Sequence, residues 1–104
     1  MIRKGFVMSV HAGAESAYEE CHNPIWADLE ETLRAHGVHN YSIFLLEETG
    51  QLFAYVEIES EERWAAIGSA PQCQRWWHHM RDLMPHRDDN SPVTKDMREV
   101  FHLD

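Results

Sequence analysis

The apolar positions change period along the chain, and each change marks an element. Over residues 2–10, Lys4, Phe6, Met8 and Val10 alternate with Arg3, Gly5, Val7 and Ser9, the two-residue period of a strand. From Ala14 to His36 the period lengthens. Ala14, Tyr18, Cys21, Ile25, Leu29 and Leu33 recur at three- and four-residue spacing, which predicts one long amphipathic helix with Gly37 at its C-cap. Pro24 lies inside that stretch. It cannot donate to the carbonyl of Glu20 and it disfavours helical geometry at Asn23, so the helix is expected to kink there or to restart with Pro24 in its first turn.

Two further strands are predicted, His39 to Glu47 and Leu52 to Glu59, joined through Glu48-Thr49-Gly50-Gln51, where Gly50 supplies the turn conformation of a hairpin. Tyr41, Ile43 and Leu45 fall opposite Phe44 and Leu46, while Leu52, Ala54, Val56 and Ile58 fall opposite Phe53 and Tyr55. Both faces therefore carry apolar groups. Helices on one side would cover only one face, so the other is expected to be closed by the sheet of a second copy.

Ser60 with Glu61 and Glu62 reads as a helix start leading to Trp64 and Ile67. Gly68-Ser69-Ala70-Pro71 interrupts it, and Cys73, Trp76, Trp77, Met80 and Met84 resume helical spacing. Residues 85–92 read as a polar loop, open to a role as a lid, and Met97 to Leu103 alternates as a final strand. The order βαββαβ is that of a ferredoxin-like α+β subunit, one domain over residues 1–104.

Composition then excludes whole classes. A net charge of −9 and a pI near 5.2 leave no basic surface for nucleic acid or anionic membranes. Cys21 and Cys73 sit on separate segments without Cys-x-x-Cys spacing, which reads as reduced thiols and a cytoplasmic setting. No apolar run approaches spanning length, and no apolar leader core follows residues 1–6. At 104 residues the core is small, so pairing into a homodimer would help it. Phosphate loop, nucleophile elbow and dinucleotide fingerprint are all missing, and no cofactor is expected.

The candidate chemistry centres on His22. At about 100° per residue, Tyr18, His22, Ile25 and Leu29 share one arc of the first helix, so a titratable ring points with the apolar stripe toward the sheet. A core histidine satisfied by one hydrogen bond would give the same pattern. Tyr18 one turn back, the loosened backbone at Asn23-Pro24 and a carbonyl freed at Glu20 favour an acid/base site. Trp76 and Trp77 are adjacent, hence about 100° apart on a helix, so one can fill the core while the other lines a cleft. Indole faces with Tyr41, which shares its strand face with Ile43 and Leu45, suit the C–H faces and hydroxyls of a sugar. His78 and His79 point in different directions, and with only Asp82 at helical spacing they are expected to face solvent and to bind no metal.

Five blocks in order resemble the L-rhamnose mutarotase family: His22-Asn23-Pro24-Ile25-Trp26, His39-Asn40-Tyr41-Ser42-Ile43, Glu57-Ile58-Glu59-Ser60-Glu61-Glu62-Arg63-Trp64, Cys73-Gln74-Arg75-Trp76-Trp77 and Asp89-Asn90-Ser91-Pro92. The resemblance implies a cytoplasmic dimeric α+β barrel that interconverts the anomers of L-rhamnose without a cofactor. It also implies that His22 is the proton donor and that Tyr18, Tyr41, Trp76 and Trp77 bind the sugar. The same architecture hosts cofactor-free monooxygenases and haem-handling proteins, and a non-catalytic sugar-binding module would need many of the same residues.

Overall fold

The computed structural model describes residues 1–104 as a four-stranded antiparallel sheet in the order β2-β3-β1-β4 with helices against one face. The strands are β1 (Ile2–Ser9), β2 (Val38–Leu46), β3 (Gln51–Ile58) and β4 (Lys95–Met97). The helices are α1 (Glu15–Cys21), α2 (Ala27–Ala35), α3 (Glu61–Ala66) and α4 (Pro71–Met80), with a 3₁₀ turn at Ile67–Ser69. This is the ferredoxin-like plan with each crossover helix broken in two.

The hairpin forms where the sequence places it. Gly50 has φ 75°, its N–H donates to Leu46 O at 2.9 Å, and a Cβ at that position would lie 2.9 Å from the carbonyl oxygen of Val10. Only glycine meets both demands. Ser60 caps α3 by accepting from the Arg63 N–H at 3.2 Å.

β2 carries a bulge that the alternation alone does not reveal. His39 lies opposite Glu57 but Ser42 lies opposite Tyr55, and Asn40 takes a φ of 46°. The extra residue reverses the parity of the strand, so buried Val38 and the later Tyr41, Ile43 and Leu45 all face the helices. There they join Phe6, Met8, Leu52, Ala54, Val56 and Ile58, with Val56 and Ile58 fully enclosed.

The long first helix is corrected by the structure. α1 stops at Cys21 and α2 begins at Ala27, three residues beyond Pro24, with a cis Asn23–Pro24 peptide between them. The restart is delayed because Trp26 is extended (φ −57°, ψ 134°) and turns its ring onto Trp76.

The final strand is corrected too. Only Lys95–Met97 pairs with β1, with Gly5 opposite Met97. Continued by two residues, that register sets Arg3 against Glu99, and these side chains form a two-pronged ion pair at 2.9 Å. One step further β1 ends at Ile2, so Phe101 to Leu103 have no strand residue to meet. Val100, Phe101 and Leu103 are accordingly about four-fifths exposed (82%, 78% and 79%).

Away from the helices, Phe44, Phe53 and Val7 lie abreast, flanked by Leu46, Tyr55 and Met97. Phe44 keeps 66% of its surface exposed. An apolar row of this kind is unusual on a face turned to water.

Candidate active site

Where α1 ends, its last carbonyls lose their helical partners, and the residues before Pro24 turn back to satisfy them. The Asn23 amide donates to Glu19 O at 2.9 Å, and the His22 ring nitrogen Nδ1 lies 2.7 Å from Tyr18 O. A carbonyl oxygen can only accept, so Nδ1 carries the proton. In the neutral ring Nε2 then bears the lone pair. The carbonyl that recruits the imidazole is thus that of Tyr18, not the Glu20 carbonyl suggested by the sequence, which accepts from the Asn23 N–H at 3.3 Å.

The ring is held on two sides. Tyr18 stacks on it with centroids 4.3 Å apart, and Trp76 on α4 meets it edge-on at 5.1 Å and 89°. Trp26 packs edge-on against the other side of this cluster, 5.0 Å from Trp76, and an Arg75–Asp28 ion pair at 2.6 Å ties α4 to α2. Burial lowers the His22 pKa below its ordinary 6.5, partly offset by the bond to Tyr18 O. The neutral imidazole therefore prevails at neutral pH.

His22, Tyr18, Tyr41, Trp76 and Trp77 all line one open groove of about 950 Å³ between the helices and the sheet. Tyr18 and Trp76 touch His22 directly. Tyr41 stands in a second cluster, with centroids 6.3 Å from Phe6 and 6.0 Å from Trp64. Trp77, half-buried, leans instead on the turn at Gly68. The two indoles diverge as their adjacency requires, and both reach the groove.

Burial raises both phenols well above the ordinary tyrosine range, and the Tyr18 and Cys73 groups raise Tyr41 further. The same apolar setting pushes the Cys73 thiol up to about 11. Both tyrosines remain protonated. Neither hydroxyl has a protein hydrogen-bond partner, nor has Nε2 of His22, yet no buried side-chain polar atom is sealed off unpaired. These atoms open to the groove.

Other positions fall outside it. His78 accepts from Arg81, and His79 lies against Trp26 with Nε2 3.6 Å from the Cys21 thiol. No cluster of three His, Cys, Asp or Glu side chains could hold a metal. The 85–92 segment is a self-bonded turn, with Arg87 N–H to Ser91 O at 2.7 Å and Asp89 accepting from the Ser91 N–H at 2.9 Å. Asp89 and Asn90 border a smaller hollow beside Trp77, and no residue of 85–92 lines the groove that holds His22. Trp64, which joins Tyr41 at the groove, and Trp26, which packs on Trp76, have no spacing that marks them as site residues. Four tryptophans in 104 residues were the available signal, but Trp64 looks from sequence only like part of a helix start.

The L-rhamnose mutarotase family model matches residues 3–103. The L-rhamnose mutarotase of Opitutus terrae is 67% identical over 104 residues, the whole of both chains. A crystal structure of an L-rhamnose mutarotase from Formosa agariphila superposes with a TM-score of 0.92 at 35% identity, again over both chains entire. A dimeric ferredoxin-like protein from an uncultured marine organism shares the fold alone, with a TM-score of 0.65 at 13% identity. Sequence over its full length, backbone and the residues gathered at the groove agree: this chain belongs to the L-rhamnose mutarotase family.

Proposed function

We propose that the chain interconverts the α and β anomers of L-rhamnose by acid–base ring opening and reclosure, with His22 transferring the proton and Tyr18, Tyr41, Trp76 and Trp77 holding the sugar. One observation carries the reading: two phenol hydroxyls and an imidazole nitrogen without protein partners converge on a groove walled by indoles. Tyr18 is buried, and a buried tyrosine ordinarily finds a partner. A pyranose supplies hydroxyls for the unpaired atoms and C–H faces for the rings.

The chemistry follows from the tautomer. Nε2 takes the proton of the anomeric hydroxyl, the O1 electrons form the aldehyde, and the C1–O5 bonding pair moves to O5. The imidazolium then returns its proton to O5. One ring can serve both oxygens because both are bonded to C1. Rotation about C1–C2 and the reverse sequence on the other aldehyde face give the second anomer. His22 is a proton donor in this cycle, but only after acting as the base.

Saturation transfer between the anomeric proton signals of L-rhamnose tests the activity. Faster exchange with protein is expected, and equal rates with and without it would refute the reading. The pH profile tests the order of transfers. The pKa of His22 is lowered, so the neutral form persists down to below pH 6.5 and is lost as the pH falls further. kcat/KM is expected to be level above neutrality and to drop on the acid side. A drop on the alkaline side would make the imidazolium the resting form.

A homodimer belongs to the same reading. The Phe44–Phe53–Val7 row and the tail residues Val100, Phe101 and Leu103 offer an apolar surface for a second copy, whose sheet would complete an α+β barrel. A fold neighbour is itself described as dimeric. Sedimentation should give twice the 12.2 kDa chain mass, and a monomer at micromolar concentration would remove the second copy from the account. No helix is long and apolar enough to cross a membrane, and Cys21 and Cys73 are free, which supports work in the reducing cytoplasm.

A further inference from the structure

We infer that Gly68 is a positioning residue for the sugar site: its missing side chain lets the Trp77 indole lie against the α3–α4 turn and so sets one wall of the groove. The inference rests on Trp77 being a sugar contact. Gly68 is the middle residue of the 3₁₀ turn, and it is not among the glycines with positive φ, which are Gly13, Gly37 and Gly50. Its backbone conformation is open to any residue. What the position demands is room. A Cβ there would lie 3.0 Å from Cη2 of Trp77, with Cζ3 and Cζ2 at 3.8 and 3.9 Å. Carbon atoms in good contact sit about 3.5–4.0 Å apart, so the first of these distances must open.

The turn is the partner less able to yield. Ile67 is buried, its carbonyl accepts from the Ala70 N–H at 2.9 Å, and the Gln74 amide donates to Gly68 O at 3.3 Å. The indole is freer. Trp77 is half-buried and borders both the groove and the second hollow of about 540 Å³, so it has space to swing. An alanine at 68 therefore moves the ring rather than the chain.

Stability and affinity should then respond with opposite signs. Replacing a glycine whose φ suits alanine narrows the unfolded ensemble and favours folding. The displaced indole meanwhile loses its register with the sugar. A glycine of merely structural value would do the reverse, losing stability without a selective change in KM.

Gly68→Ala, Trp77→Phe and the double variant, compared by thermal melting and by anomer-exchange rates over a range of L-rhamnose concentrations, test this. Gly68→Ala is expected to melt at or above the wild-type temperature and to raise KM roughly three- to tenfold, the worth of a stacking contact, with kcat changed by less than about twofold. A phenyl ring does not reach the place of Cη2, so the double variant should show the KM of Trp77→Phe alone. An unchanged KM in Gly68→Ala, or penalties that multiply in the double variant, would overturn the inference. So would a lowered melting temperature that Trp77→Phe does not restore. A Trp77→Ala control that keeps the wild-type KM would instead remove the sugar-contact role of Trp77 and the inference with it, a result separable from the Gly68–indole contact read by melting.

Discussion

His22→Asn is expected to slow catalysed exchange of the L-rhamnose anomers by about a hundred- to ten-thousand-fold while leaving the melting temperature close to wild type. The two halves of that expectation come from the two ring nitrogens. Nδ1 has a structural duty, the 2.7 Å bond to Tyr18 O, and an asparagine amide can assume it as Asn23 does for the Glu19 carbonyl one residue on. Nε2 has no protein partner, and asparagine puts nothing titratable in its place. The loss should therefore fall on kcat, with the helix end still capped. Retention of more than about a tenth of the rate would move the proton transfer to another group, since a positioned acid/base group supplies at least a hundredfold.

Trp76→Ala is expected to produce the largest loss of stability. The indole is 9% exposed and meets His22 and Trp26 edge-on at 5.1 and 5.0 Å, so it joins the end of α1, the start of α2 and the inner face of α4. Removing a large buried aromatic ring costs about 3–5 kcal/mol, a large share of the total stability of a small domain. By the usual scaling the melting temperature should fall by about 15 °C or more in calorimetry. Trp76→Phe, which keeps part of the packing, should recover much of it. A Trp76→Ala protein within about 1 kcal/mol of wild type would mean that the helices hold their places without this ring. Trp77→Ala, removing a half-buried indole, should cost less stability than Trp76→Ala.

The residues behind these effects could be named from the sequence, and their arrangement only in part. Periodicity located β1, β2, β3 and the helical stretches, because each turns its apolar residues to one side and so leaves a repeat, even in β2 and α3, which bury little of that side. It overran at Pro24, where an apolar stripe continues across a gap that is not helical, since Trp26 and Leu29 pack inward from a restarted helix. It overran again after Met97, where alternating apolar residues survive without a neighbouring strand because Val100, Phe101 and Leu103 face outward. The bulge at Asn40 left no trace in the pattern, as Tyr41 keeps the parity of Ile43 and Leu45 and only Val38 is displaced. Membership of the site was similar. His22, Tyr18 and Trp76 were legible from helical spacing and the family blocks, whereas the Trp64–Tyr41–Phe6 cluster joins α3 to two strands and has no local signature.

The carbonyl of Tyr18 makes the end of α1 a chemical coordinate. In an uninterrupted helix that oxygen would belong to the backbone N–H of residue 22; with the helix ended, it orients the imidazole of the same residue. The same device recurs at the end of α2, where Thr32 O, with two lone pairs, accepts from both the backbone N–H and the ring Nδ1 of His36. Fraying of α1 that broke the bond to Tyr18 O would remove a contact that favours the charged ring, and would lower the His22 pKa further. The Nδ1 side of the ring meets no carboxylate: a secondary-structure boundary orients this imidazole.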